Sequence, residues 1–276
     1  MLALLATCTF GFACSQHSPR SELPGAPALE LHAQPEAVGS GSYVLRGGGI
    51  ELWVDPALGQ ATRLAVDGRT LLGSSVQAPR PEPYAARIEG HALTLEHPDG
   101  GLSLRYELDV GRRAVEVTQR LVNTSSERAL VFGLEQQDLA AGSGLSILSG
   151  PHDPPDRSAP SAPGALPLLW LSYARAEESI EAIREPGQGW FAQVSASSLL
   201  VKTFSANAPA TLLVRATYLS AAQPPHVFLD EQCSFELAPG ASASFTSRWL
   251  LRKLPPGIEA KPRNPELVRF IRGIVR

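Results

Sequence analysis

The amino-acid sequence predicts an all-β protein, organised as one large antiparallel β-sandwich followed by a short C-terminal helix. Apolar and polar residues alternate along many short segments, as in strands that have one buried and one exposed face. Turn-forming residues separate these segments at intervals of roughly ten residues, a spacing typical of sandwiches and barrels. Gly and Pro, with 24 residues each in a chain of 276, favour a turn-rich protein over a helical bundle.

The first strands carry a hairpin signal. Residues 50–54 (IELWV) alternate between apolar and polar side chains. Segments 63–66 and 69–72 flank the pair Asp67-Gly68, which suits a two-residue type I′ turn. We therefore predict a β-hairpin here.

The stretch 91–138 has the clearest pattern in the chain. Turns separate four segments, and we predict that these form an antiparallel meander: 92–96, 102–108, 114–122 and 129–134. Further strands are predicted at 168–173, 189–194, 199–204, 212–219, 234–237 and 242–251. The proline-rich segment 149–167 is predicted to be a long surface loop.

The last segment has a helical pattern. Asn264 is a suitable N-cap, and Pro265 suits the first helical position. Leu267, Ile271 and Ile274 then recur at helical spacing. This amphipathic helix either packs on the sandwich or docks to a partner or a membrane surface.

Composition excludes several functions. The net charge of −3 and the pI of about 6.1 argue against nucleic-acid binding. The sequence contains no G-x-S-x-G, Walker, C-x-x-C or H-E-x-x-H motif, so we expect no cofactor and no metal site.

The N-terminus predicts export. Residues 1–13 are uncharged and almost wholly apolar, and the segment 11–14 (GFAC) is similar to the lipobox of bacterial lipoproteins. Cys14 would then carry lipid and be the only membrane contact, with Cys8 as a rival position and plain secretion as an alternative. These features predict a protein of the bacterial cell envelope.

The domain boundaries follow from these patterns. Residues 1–14 are the export signal and 15–41 form a Pro-, Ser- and Gly-rich tether. Residues 42–254 form the sandwich, and 255–276 form a linker and the helix. Cys233 is the one cysteine left in the mature body, so no internal disulfide is expected.

The order of several short motifs resembles the aldose 1-epimerase (galactose mutarotase)-like superfamily, in an uncharacterised bacterial branch. The matching segments are 49–56 (GIELWVDP), 59–64 (GQATRL), 67–72 (DGRTLL), 115–125 (VEVTQRLVNTS), 189–191 (GWF), 200–204 (LVKTF), 237–240 (LAPG) and 248–249 (RW). The resemblance implies the large mutarotase-like sandwich, often called a supersandwich, whose concave face often holds a sugar. It also implies a general acid and a general base on opposite sides of a sugar ring, usually a His and a Glu.

The catalytic candidates are Glu135, His226, Asp230 and Glu231, of which Asp230 or Glu231 would match the glutamate that the family has on a late strand. Glu135, at the end of the predicted strand 129–134, is the first candidate. His226 with Asp230 or Glu231 is the second, because a histidine and a carboxylate lie close in sequence there.

The ligand-binding candidates are a lysine and two tryptophans. Lys202 would either bind an anionic sugar or pair with a carboxylate. Trp170 and Trp190 would either stack on a sugar ring or fill the core.

Three functions remain open on the sequence. Non-catalytic carbohydrate binding comes first. The first alternative is an interaction or scaffold domain without a small ligand. The second is a sugar epimerase or mutarotase-like enzyme. Whether the protein is an enzyme and which protein partner it has stay undecided. Convergence of Glu135, Asp230 or Glu231 with a histidine in one cavity would favour the enzyme.

Overall fold

Within the part of the chain that the structure describes, the strands pair into two antiparallel sheets, each of nine strands, and one helix follows them. The computed structural model describes residues 32–39, 41–75, 83–140, 144–149, 168–173, 177–195, 197–220 and 225–276. The elements are β1 (Pro35–Val38), β2 (Ser42–Gly47), β3 (Ile50–Asp55), β4 (Gln60–Val66), β5 (Arg69–Ser75), β6 (Ala85–Glu89), β7 (Ala92–Glu96), β8 (Leu102–Asp109), β9 (Ala114–Val122), β10 (Ala129–Ala140), β11 (Gly144–Ser149), β12 (Leu168–Ser172), β13 (Glu177–Arg184), β14 (Trp190–Ser195), β15 (Ser198–Ala206), β16 (Thr211–Leu219), β17 (His226–Leu237), β18 (Ser242–Lys253) and α1 (Pro265–Val275).

Sheet I has the strand order β1-β2-β3-β4-β5-β10-β17-β16-β13, and sheet II has the order β12-β11-β14-β15-β18-β9-β8-β7-β6. The inner faces pack together in one large apolar core, to which sheet I contributes Leu52 and Phe235 and sheet II contributes Tyr106, Phe191 and Phe245. The prediction of an all-β antiparallel sandwich with a C-terminal helix is therefore confirmed.

The predicted four-strand meander is wrong at its fourth strand. β7, β8 and β9 pair in sequence order, but β10 lies in sheet I between β5 and β17. Asn123 causes the crossing: its side-chain amide donates to the carbonyl oxygens of Glu127 at 2.7 Å and Leu237 at 2.9 Å. Its side-chain oxygen accepts from the Ser125 amide at 3.0 Å, so a segment that resembles a hairpin turn is a corner between the sheets.

The sandwich also begins earlier than predicted. β1 lies within the segment 15–41, which the sequence suggests is a tether, and it pairs with β2 along four residues. Pro35 opens this strand at the edge of sheet I, where its missing N–H does not interrupt a ladder of hydrogen bonds. Cys14 and the segment 1–31 lie outside the described residues, as do residues 150–167 of the predicted loop.

The helix α1 covers part of the outer face of sheet II. The Asn264 side chain caps it by accepting a hydrogen bond from the Glu266 amide at 3.0 Å. Leu267 and Ile271 are buried against apolar side chains of β11, β14 and β15, including Trp190. No helix in the described part of the chain is long and apolar enough to span a membrane.

Candidate functional site

The pairing of β10 with β17 decides which way the candidate carboxylates point. Glu135 pairs with Glu231, and Gln136 pairs with Asp230. Successive side chains of a strand point to opposite faces. Glu135 and Glu231 therefore lie on the buried inner face of sheet I, while Asp230 lies on its outer face.

The inward-pointing candidates form a cluster with Lys202, which reaches across from β15 of sheet II. The Lys202 Nζ lies 2.5 Å from Glu231 Oε1 and 3.8 Å from Glu135 Oε2. It also donates to Gln137 Oε1 at 3.0 Å, and Gln137 Nε2 donates to Glu135 Oε1 at 2.6 Å. The Trp249 ring centre is 4.8 Å from the ammonium. We call these residues the interior cluster.

Burial governs the electrostatics of the interior cluster. It raises the pKa of the Glu231 carboxyl to about 8; the charge of Glu135 adds to this rise, and the Lys202 ammonium opposes it. Burial also raises the pKa of Tyr106, and Glu135 adds to that rise. Because all members of the cluster are fully buried, the cluster links the two sheets and is closed to a ligand in this conformation.

The outward-pointing candidates lie at a pocket of about 320 Å³ on the outer face of sheet I. Its lining comes from three adjacent strands and comprises Gln136, Gln137, Asp138, Thr217, Phe228 and Asp230. His226 adjoins it: its Nδ1 lies 3.4 Å from Asp138 Oδ1, and its ring meets the Phe228 ring edge-on at 4.6 Å. We call this the sheet I pocket.

The pocket combines the groups that recognise a polyhydroxylated ligand. Asp138 and Asp230 supply carboxylates, Gln136 an amide and Thr217 a hydroxyl, and the half-buried Phe228 supplies an apolar ring. Among the described residues, no donor hydrogen-bonds the Asp230 carboxylate. Asp230 lines the pocket and is half-buried, so its carboxylate lies where a ligand in the pocket could contact it.

The two tryptophan candidates lie away from this pocket, on sheet II. Trp190 is buried beneath α1, and its backbone amide donates to Ser149 Oγ at 3.0 Å. Trp170 is half-buried beside the same apolar cluster. The structure thus brings His226 and Asp230 to one pocket, and places Glu135, Glu231 and Lys202 in the interior.

Five pocket residues were not candidates on the sequence: Gln136, Gln137, Asp138, Thr217 and Phe228. Two of them could have been assigned to a face from the sequence, because the alternation of β10 continues beyond Leu134. Gln136 and Asp138 take the outward positions, and Gln137 and Leu139 take the inward ones. Polar side chains at inward positions of β10 conceal that alternation. Among the described residues, no group of three His, Cys, Asp or Glu side chains is arranged to hold a metal ion.

Comparison with known proteins places the fold. No protein-family model and no curated protein matches the chain. Protein Slr1438 from Synechocystis has a similar structure, with a TM-score of 0.57, 12% identity and coverage of 81% of this chain and 98% of that one. A galactose mutarotase-like protein from Lactobacillus casei has a TM-score of 0.53 and 10% identity, with coverage of 77% of this chain and 100% of that one. Another from Clostridium acetobutylicum has a TM-score of 0.50 and 11% identity, with coverage of 81% of this chain and 99% of that one.

These likenesses define the class to which the fold belongs. The chain has the fold of galactose mutarotase-like proteins, as the resemblance in sequence implied. At identities of 10 to 12%, the comparison concerns the fold alone.

Proposed function

We propose that this protein binds a saccharide in the sheet I pocket without converting it, as a protein of the bacterial cell envelope. One observation carries the proposal: two carboxylates, side-chain amides, a hydroxyl and the Phe228 ring line the same pocket. Sugar hydroxyls pair with such polar groups, and the apolar C–H face of a sugar ring packs on an aromatic side chain. The mutarotase-like fold is consistent with this ligand class.

The direction of the side chains supports binding without conversion. A mutarotase-type reaction needs an acid and a base within hydrogen-bond reach of one ring. Glu135 and Glu231 point into the interior, so neither can serve with His226 on the outer face. Asp230 shares that face with His226, but four residues of extended strand separate their Cα atoms by roughly 13 Å.

An epimerase remains the second candidate, on one observation. The Asp138 carboxylate lies 3.4 Å from the His226 ring, and a carboxylate in that position orients an imidazole for proton transfer. If this pair is catalytic, His226→Gln abolishes anomer exchange in a bound sugar. If the protein only binds, the purified protein does not accelerate exchange above the rate in buffer.

The envelope location rests on the apolar N-terminal segment and on Cys14, both outside the described residues. We propose that lipid on Cys14 anchors the protein, with secretion of the unanchored chain as the alternative. Either way the sandwich would meet saccharides outside the cytoplasm.

Thermal unfolding of the purified protein with a panel of mono- and oligosaccharides tests the binding proposal. A sugar at ten times its Kd adds about 1.4 kcal/mol to the free energy of unfolding. This raises the Tm by about 3–6 °C for a domain of about 150–250 residues. We expect such a shift for a subset of the panel.

Two variants locate the site. Asp230→Asn should weaken binding at least about tenfold, since a hydrogen bond to a charged group contributes about 1.5–3 kcal/mol. Glu236→Gln is the matched control, because it alters a carboxylate on the same strand and face, outside the pocket lining. If no sugar shifts the Tm, the scaffold alternative becomes the better interpretation.

A further inference from the structure

The outer face of sheet I is divided into polar and apolar rows of side chains. The strand register aligns Asp138, Phe228 and Thr217 in one row, Gln136, Asp230, Arg215 and Glu181 in the next, and Leu134, Gln232, Leu213 and Ile183 in the third. Adjacent rows on one face are about 7 Å apart, twice the rise per residue. The polar rows of the pocket therefore border on a row that begins with the apolar Leu134 on β10, although Gln232 follows it on β17.

The apolar side continues along β10 away from the pocket. Leu134, Phe132 and Leu130 occupy successive outward positions and are 39%, 41% and 57% exposed. We call Leu130, Phe132 and Leu134 the apolar surface. All three side chains are partly open to solvent.

We propose that the ligand is an amphiphilic glycoside, a saccharide that carries an alkyl or acyl chain. This inference rests on the proposed function and names its ligand class. The sugar occupies the sheet I pocket, and the chain lies over the apolar surface along β10. One molecule then covers both parts of the face, which a free sugar would leave half exposed.

The dimensions fit a single chain. From Leu134 to Leu130 the strand advances roughly 14 Å, at about 3.4 Å per residue. An extended alkyl chain of roughly twelve carbons spans this length, because its zigzag bonds of about 1.5 Å each advance the chain by about 1.25 Å.

The neighbouring side chains also favour a narrow occupant. The cross-strand partners of Leu134, Phe132 and Leu130 on β17 are Gln232, Ser234 and Glu236, all polar. Three side chains that are 39% to 57% exposed cannot supply the roughly 800 Å² per partner that a specific protein interface buries. A protein partner is therefore the less suitable occupant.

Titration calorimetry with alkyl β-glucosides and alkyl β-galactosides, from methyl to octyl and below their micelle concentrations, tests the inference. We expect affinity to rise about twofold per methylene, half the free energy of full burial, because the chain contacts protein on one side. The octyl glycoside of the preferred sugar should then bind about 100-fold more tightly than its methyl glycoside.

Variants assign the dependence on chain length to this surface. The double variant Phe132→Ser/Leu134→Ser should keep the affinity for the methyl glycoside and lose the increase with chain length. Ile88→Ser is the matched control, since Ile88 is a 48% exposed apolar residue on β6 of sheet II, and should behave as the unmodified protein. Asp230→Asn should weaken every member of the series by the same factor.

The outcomes separate the two proposals. Binding of methyl glycosides with no increase along the series overturns the amphiphile and leaves saccharide binding intact. Absence of binding by every glycoside overturns both. The inference is overturned if affinity still increases with chain length in the Phe132→Ser/Leu134→Ser variant. It is also overturned if Asp230→Asn leaves the affinity for the octyl glycoside unchanged. So does self-association in sedimentation analysis that the double variant abolishes, because a second copy of the chain would then cover the surface.

Discussion

Replacement of Lys202 by Met removes the one cation of the interior cluster while filling nearly the same volume. Glu231 loses an ion pair of 2.5 Å, and Gln137 loses a hydrogen bond of 3.0 Å. Removing one partner of a buried ion pair costs about 3–5 kcal/mol, since it leaves an uncompensated buried charge. With two carboxylates in the cluster, we expect a loss of about 4 kcal/mol at pH 9, or about 8–16 °C in Tm.

The loss depends on pH in a defined direction. The Glu231 carboxyl, with its pKa raised to about 8, is charged at pH 9 and protonated at pH 6. Without Lys202 this pKa rises further, so the Glu231 carboxyl of the Met variant still holds at pH 9 a proton that the unmodified protein has released. The loss of stability should therefore be smaller at pH 6 than at pH 9, by up to about 1.4 kcal/mol, the free energy of one pH unit. Urea unfolding followed by tryptophan fluorescence at both pH values measures the difference, since the Trp249 ring lies beside the cluster.

Two further variants make this prediction sharp. Lys253→Met removes a lysine whose side chain is 77% exposed, and should cost less than about 1 kcal/mol at either pH. The triple variant Lys202→Met/Glu135→Gln/Glu231→Gln should recover most of the loss, because it removes the buried charges together. Equal losses of the Lys202→Met variant at pH 6 and pH 9 would refute the assignment of its instability to buried carboxylates.

Three other predictions follow from the structure and the sequence. The unmodified protein should lose stability as pH rises from about 4.5 to about 8, because folded Glu231 holds its proton more tightly than unfolded Glu231. Glu231→Gln should remove this dependence of about several kcal/mol, and an unchanged pH profile of the variant would contradict the prediction. Asn264→Ala should cost about 1 kcal/mol in urea unfolding, whereas Asn264→Asp, which keeps the capping oxygen but loses the amide hydrogen bond to the Glu259 carbonyl oxygen, should cost less. Radiolabelled palmitate should label the protein in a bacterial host and fail to label Cys14→Ser; label lost in Cys8→Ser and retained in Cys14→Ser would transfer the anchor to Cys8.

Sequence patterns were sufficient for the sandwich because most strands have one apolar face. β3, β8 and β16 show this alternation in their burial, as the sequence indicates. β10 and β17 are longer than predicted. Polar residues such as Glu135 and Glu231 occupy inward positions there, so the apolar alternation on which the prediction depends is interrupted. The partner that makes this arrangement stable, Lys202, comes from a strand far away in sequence and in the other sheet.

Half of the candidate site followed from local sequence. His226 and Asp230 share a face because they lie an even number of residues apart on one strand. Asp138 joins them through pairing between β10 and β17, which are separated by about ninety residues of sequence, and periodicity along one strand carries no information about such pairing. Trp190 was a candidate for stacking on a sugar, but α1 covers its strand from outside, so both faces of β14 are buried. Periodicity along β14 alone does not reveal that a distant helix covers it.

The position of α1 has a practical consequence for handling the molecule. The helix packs on the outer face of sheet II and ends at Val275, while the sheet I pocket opens on the opposite side of the sandwich. A purification tag or a fluorophore joined to Arg276 is therefore remote from the pocket. Immobilising the protein on a sensor chip through its carboxyl end would leave the pocket directed towards the flowing sample.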